Sequence, residues 1–300
     1  MILMKNSLFF ALLMACFPIA PSASFGQERA TFARFVPERA DDFAWENDLV
    51  AFRVYGPALR NGKEDSGVDC WLKRVHYPII NKWYEGNTKG ISYHRDNGEG
   101  NDPYHVGSSR GCGGTALWVS GQMVTSKNFF AWKILKQMRE ETVFELTYKY
   151  PAAKGEDPIQ EIKKISIRLG NRFFRSESTF TRAGKPLAEL PVVVGITTHD
   201  GKATALIAPK NNWIACWEKI EGSGLGTGVL LAPGTAVETR ELKSPVPDQS
   251  HVLMLTKTDA LGRVICHAGY GWERAGDILT VEDWKQTMNT CAEALQSQKP

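Results

Sequence analysis

The chain has little cysteine and no paired cysteine motif: Cys16, Cys70, Cys112, Cys216, Cys266 and Cys291 stand far apart, without a CxxC. That spacing speaks against a zinc ribbon and against a dense disulfide scaffold. Lysine and arginine form no run, and 36 basic against 33 acidic residues leave a formal net charge of +3. No nucleic-acid or acidic-lipid partner is therefore expected, and any charge selectivity must be local. GxSxG is missing, so nothing orders a serine triad, and no P-loop or dinucleotide fingerprint occurs. The glycine-rich GSGLGTG (Gly222 to Gly228) has no phosphate-binding lysine and no strand-to-helix frame, and is expected to be a turn. A βαβ rhythm, internal repeats and low-complexity tracts are absent as well.

The N-terminal stretch has one early Lys5, an apolar run from Leu8 to Ala20, and small residues before Gln27. This is the layout of a secretory signal peptide, and Pro18 and Pro21 break it as a spanning helix. The expectation is a signal over residues 1–26 and a single domain over 27–300, periplasmic or secreted. Leu13-Met14-Ala15-Cys16 is close to a lipoprotein box, which gives lipid anchoring at Cys16 as the alternative. In an oxidising compartment the five remaining cysteines, an odd number, are expected to form one or two disulfides at most.

What is present is a series of short alternating runs, among them TVFELTYKY, EIKKISIRLG, FFRSESTF, PVVVGITTH, HVLMLTKT and RVICHAGYGW, punctuated by Gly, Pro, Asn and Asp. Alternation rich in β-branched and aromatic residues is the strand signal, and the spacing suits antiparallel sandwiches. An all-β fold with few short helices follows. Helical pattern is confined to NFFAWKILKQMREE (Asn128 to Glu141), part of which also fits a strand, and to a C-terminal helix that begins with a capping-box-like Thr280 and Asp283.

Ile91 to Trp118 concentrates His94, His105, Tyr93, Tyr104, Asp96, Glu99, Asp102 and Arg110 among six glycines. Histidine titrates near working pH, so His94 or His105 serves as a general base, with Tyr93 or Tyr104 as the acid. Arg110, with Asn47 or Lys82, would clamp an anionic group as a charge-assisted fork. His76-Tyr77 forms a second-ranked pair. Trp45, Trp83 and Trp272 offer faces on which a sugar ring can lie. A competing reading gives Asp96, Asn97, Glu99, Asn101 and Asp102 to calcium, although their spacing is not that of an EF-hand; no other cofactor is expected, and no HxH or HxxxH spacing supports a transition metal. His199 ends a strand where it can face a cleft, whereas His251 and His267 lie in apolar strands and are assigned to packing.

The blocks WENDLVAFRVYGPAL, SGVDCWLKRVHYP, YHRDNGEGNDPYHVGSSRGCGG and GYGWERAGD resemble the family of domain of unknown function 4861, over nearly the whole chain beyond the leader. The resemblance implies a galactose-mutarotase-like β-supersandwich. It further implies exported proteins of bacterial glycan-utilisation systems, found beside enzymes that process uronic-acid polysaccharides, one similar protein being regarded as an oligosaccharide dehydratase that acts on a non-reducing-end uronic acid. β-Elimination needs a base for the C5 proton, a cation on the carboxylate and an acid for the departing C4 oxygen, which matches the residue types above. The alternatives are a glycoside hydrolase or epimerase using Glu99 or Asp102, and a glycan-binding protein without catalysis. No protein partner is expected.

Overall fold

The computed structural model describes residues 28–297; the leader and Cys16 lie outside them. The described residues are mostly strand, with two α-helices, the second near the end of the chain, and among them every strand pairing is antiparallel apart from one isolated bridge between Val68 and Gly111. A five-stranded sheet runs from Phe32–Val36 through Asp42–Glu46, Ala51–Val54 and Val68–Lys73 to Gly100–Asn101. A nine-stranded sheet has Thr204–Ala208 at one end and Ala131–Gln137 at the other, with Arg263–Trp272 and Phe173–Arg182 near its centre. A third sheet, also of five strands, is ordered Ala236–Leu242, His251–Lys257, Pro191–Thr197, Cys112–Val119, Gln122–Val124.

The alternation seen in sequence becomes one dry face. Along Ile159–Arg168 every second residue is buried, because successive side chains point to opposite sides of a strand. Phe43, Trp45 and Phe52 of the first sheet meet Phe144 and Phe174 of the long sheet at ring separations of 4.6 to 5.4 Å. Ile196, Val252 and Met254 of the third sheet join the same core. Each such aromatic, fully buried, contributes roughly 2–3 kcal/mol of transfer free energy.

Three sequence expectations change. GSGLGTG is not a turn but part of the strand Ser223–Leu231, and its alternate glycines make room for large neighbours. A Cβ at Gly226 would come within 2.4 Å of the Trp284 ring, and one at Gly228 within 2.4 Å of the Met288 sulfur; both residues belong to the C-terminal helix, Val281–Ser297. Within Asn128 to Glu141 the strand alternative holds, over Ala131–Gln137, because this edge strand pairs with Glu141–Lys149 through a tight connection. All five cysteines among the described residues are free thiols, four of them buried. The capping expectation at Thr280 is realised: its hydroxyl accepts the Asp283 N–H at 3.1 Å, and the Asp283 carboxylate accepts the Thr280 N–H at 2.8 Å.

Helix α1, Ile80–Thr88, has no local cap. Its first N–H groups, of Ile79 and Ile80, are instead met at 2.9 Å by the carboxylate of Glu46, which projects from the first sheet. An anion at a helix N-terminus satisfies orphan donors and the helix dipole together. Lys73 holds that carboxylate at 2.8 Å and spends its other protons on the Asn47 and Tyr77 carbonyls, both also at 2.8 Å. Glu46 and Lys73 are wholly buried. Removing one member of a buried pair strands the other, so Glu46→Ala is expected to cost about 3–5 kcal/mol in urea unfolding; a loss under about 1 kcal/mol would show that α1 does not depend on this carboxylate.

Candidate active site

The segment Tyr93 to Gly107 passes between two surface depressions. On one side of it, adjoining hollows of about 280 and 620 Å³ share His105, Asp200, Lys202 and Asp248 and form one groove. His105 points into it with 70% of its side chain exposed, its Nε2 2.9 Å from the Asp248 carboxylate. A carboxylate at Nε2 fixes the proton there and leaves Nδ1 as the free lone pair. Gly107 makes this pairing possible. Its backbone lies at φ 53°, and a Cβ there would come within 2.0 Å of an Asp248 oxygen.

A second histidine stands beside the first. His199 Nδ1 is 2.8 Å from both oxygens of Glu218, and its Nε2 donates to the His105 carbonyl at 2.7 Å. Both ring nitrogens face oxygen acceptors, which fixes the orientation of the ring. His199 and Asp200 sit at φ 48° and 57°, in a left-handed turn closed by Gly201, and Asp200 accepts the Asp248 N–H at 3.0 Å. Asp248 itself is at φ 66°. Three residues in a conformation that costs non-glycine side chains of order 1 kcal/mol each therefore line one groove. Lys202 and Lys219 supply cations at its wall.

The other residues singled out in the sequence fall elsewhere. Arg110 is fully buried, its guanidinium held by Asp65 at 2.6 Å and by the Ser66 hydroxyl at 2.9 Å, so it anchors the loop rather than meeting a substrate. Tyr104 and Tyr93 are buried: the Tyr104 ring supports His199 edge-on at 4.7 Å, and the Tyr93 hydroxyl accepts from Arg53 at 3.4 Å. Burial pushes the Tyr104 hydroxyl well above its ordinary range, which removes it as a proton donor to the groove. Trp45 and Trp272 are core, at 0% and 1% exposure. Asn47 is a tie between chains, its amide donating at 2.6 Å to the carbonyls of Arg168 and Asn171. His94 is exposed, with Nδ1 2.9 Å from the Asp102 carbonyl, and His76 sits apart with Nδ1 3.0 Å from the Asp48 carbonyl.

Tyr77, Lys82, Trp83 and Glu99, by contrast, come together. Glu99 accepts from Tyr77, from Lys82 at 2.5 Å and from the Trp83 indole at 3.1 Å. Burial alone would raise the Glu99 carboxyl, but these three donors outweigh it and hold it below its usual range. The same bond to Glu99 lifts the Tyr77 hydroxyl to about 12. The calcium reading fails here on geometry, because the oxygens point to separate partners: Asp96 to Arg74, Glu99 to this cluster, Asp102 to Arg53. Among the described residues no three His, Cys, Asp or Glu side chains converge as metal ligands. Asp102, buried against Arg53, is not free to serve as one of a hydrolase pair with Glu99.

His251 and His267 are packing residues as expected; burial drives both down to about 4. Asp248, Glu218, Lys202 and Lys219 are the groove residues that the sequence did not announce.

A model of the family described as Domain of unknown function (DUF4861) matches residues 22–299. The chain belongs to this family. A curated relative, an uncharacterised protein of Formosa agariphila, is 36% identical over 276 residues, which cover 89% of this chain and 68% of that one. Among solved structures, a Klebsiella pneumoniae protein assigned as an aldose 1-epimerase aligns over 91% of this chain and 90% of its own, at 8% identity and a TM-score of 0.42. A human-microbiome protein assigned as a kojibiose phosphorylase aligns over 62% of this chain at 9% identity and a TM-score of 0.42. The family member spans only 25% of that phosphorylase. Neither likeness carries an argument about activity.

Beside Tyr93, Arg53 is buried among Asp69, Asp102 at 3.0 Å and Asp42 at 3.9 Å. Burial drives the Asp42 carboxyl up to about 6, against the pull of Arg53 and Arg39. A folded-state value above the ordinary 3.8 means that folding takes up a proton, so this contribution is full below about pH 4 and is lost as pH rises through about 6. Asp42→Asn is therefore expected to gain stability relative to the parent, by up to about 2–3 kcal/mol, between pH 4 and pH 7.5 in urea unfolding. His251 and His267 act in the opposite direction but cancel between the two proteins. A difference independent of pH would show Asp42 ionised throughout.

Proposed function

We propose that this family member is an enzyme acting on uronic-acid-containing oligosaccharides by β-elimination, as a dehydratase or lyase that leaves a 4,5-unsaturated uronic acid. The observation that carries this reading is the pair of histidine–carboxylate couples, His105–Asp248 and His199–Glu218, side by side in a groove walled by Lys202 and Lys219. A histidine whose far nitrogen is held by a carboxylate has the form of a general base. Lysines beside it would stabilise the carboxylate charge that makes a C5 proton removable.

In this mechanism His105 Nδ1 takes the C5 proton. The electron pair left behind forms the C4=C5 double bond as the C4–O bond breaks. The departing oxygen takes a proton from solvent in the open groove, leaving as water in a dehydratase or as the hydroxyl of the shortened chain in a lyase, and His105 later returns its proton to that solvent; the buried His199–Glu218 couple, both ring nitrogens engaged, holds the His105 backbone in place. Lys202 and Lys219 meet the carboxylate in the place foreseen for Arg110, which is committed to Asp65. Tyr104 acts only through His199, as a ring that fixes its orientation.

The test is ultraviolet absorbance over time, with purified protein and saturated oligosaccharides ending in glucuronate, iduronate or galacturonate. A rise without chain shortening is expected for a dehydratase and a rise with shortening for a lyase. His105→Ala should lower kcat by about 10²–10⁴-fold, the usual worth of a general base. Full turnover in folded His105→Ala, or new reducing ends with a flat trace, would overturn elimination at this groove.

A further inference from the structure

The α1 cavity, on the other side of the Tyr93–Gly107 segment, measures about 350 Å³, but Trp83 and Tyr93 in its wall are core residues, 7% and 5% exposed. An open aromatic face stands elsewhere. Among the described residues the exposed large apolar side chains lie singly along the chain except from Phe130 to Met138, where Phe130, Trp132, Leu135 and Met138 are 40–57% exposed. They sit on or beside Ala131–Gln137, the last strand of the nine-stranded sheet. Single exposed apolar residues need no partner, whereas a group of them marks a surface that meets one. Trp132 is held from one side: it stacks on Phe35 at 5.2 Å and meets Phe43 at 5.8 Å, and 44% of it stays open to solvent. The Lys149 ammonium lies 4.6 Å over the Phe130 ring, a charged tip beside an apolar body.

The strand itself disfavours two kinds of partner. A register shift between Ile134 and Lys136, with Lys133 and Lys136 beside it, bends and charges the edge against which another strand would pair. Charge here is mixed, Lys136 with Glu141 at 2.5 Å and Arg139 with Glu28 at 2.8 Å, which leaves little attraction for acidic lipid headgroups.

What favours an uncharged bilayer is the place where the chain enters the fold. The Thr31 N–H donates to the Arg139 carbonyl at 2.9 Å and the Thr31 hydroxyl to the Met138 carbonyl at 2.7 Å, so the first described residues begin at the end of this apolar strand. Residues 1–27 precede them, with the apolar run Leu8 to Ala20 and Cys16. Cys16 stands 12 residues before Glu28, a reach of at most about 40 Å of extended chain.

We propose that this edge is a membrane-contact face, with Trp132, Leu135 and Met138 entering the interface of a lipid bilayer beside the point where the leader joins the fold. Indole and aliphatic groups partition there by apolar contact, the indole N–H remaining among the headgroups. An acyl group on Cys16 would bring tether and face to one side of the molecule, and two such signals together give firm anchoring where one gives little. The inference concerns placement and is independent of the chemistry of the groove.

The chain from Gln27 onward, which contains every described residue, tests the face without leader or acyl group. In sedimentation with phosphatidylcholine vesicles it is expected to partition measurably. Trp132→Ser with Leu135→Ser should lower the partition coefficient by about tenfold or more, whereas Val237→Ser, at an exposed apolar residue on another strand, should leave it within about twofold. Bromine-bearing acyl chains should quench the parent's fluorescence, and this quenching should be lost in Trp132→Phe, which keeps an apolar ring and the binding. No binding, binding indifferent to the double substitution in folded protein, or quenching that persists in Trp132→Phe would each overturn the proposal. So would a dimer that forms without vesicles and is lost with the same substitutions, because the face would then belong to a second copy of the chain.

Discussion

One carboxylate, that of Glu46, decides where the helical side of this molecule stands. It is buried, it satisfies the first N–H groups of α1, and Lys73 balances its charge while tying down the Asn47 and Tyr77 carbonyls. Burying both ions has a desolvation cost, which is offset only because nearly every donor and acceptor of the pair is used. Tyr77 precedes α1 and Lys82 and Trp83 lie on it, so their convergence on Glu99 depends on this contact with the first sheet. The helix has no cap of its own to place it otherwise.

The segment from Tyr93 to Arg110 is fixed by the same device used twice more. Asp102 is pinned to buried Arg53, and Arg110 to Asp65, so two ion pairs in the interior clamp a loop whose intervening residues remain free to face outward. Between these clamps His105 is 70% exposed. Burial of the charged anchors and exposure of the histidine belong to one arrangement. A loop held only by its backbone would not keep a side chain within hydrogen-bond distance of a partner 143 residues away.

How much of this could be read from the sequence follows from which interactions are local. The strands were legible because their periodicity is local, and the C-terminal helix because its capping pair lies within one turn. Helix α1 was not, since its cap comes from a residue 33 positions earlier. GSGLGTG was misread because its glycines answer to Trp284 and Met288, side chains more than 50 residues further on, rather than to turn geometry. Residue type marked His105, which lines the groove, but ranked with it Arg110, Tyr93 and Tyr104, which are buried. Only burial separates an arginine that anchors from one that binds, and burial is a property of the assembled core. His199 was marked by its place at a strand end, while Glu218, Asp248, Lys202 and Lys219 carry no local signal.

The distinction between anchors and free groups also orders the two depressions. In the groove, each histidine has its own carboxylate, so each ring is fixed by a separate residue. At the α1 cavity a single carboxylate, Glu99, is shared by a hydroxyl, an ammonium and an indole, and none of them is left with an unfilled acceptor nearby. The first arrangement leaves a lone pair on His105 Nδ1 open to solvent; the second uses its carboxylate to tie α1 to the loop and leaves its aromatic rings in the core. Proton transfer needs the former, and the latter instead fixes the position from which the loop departs.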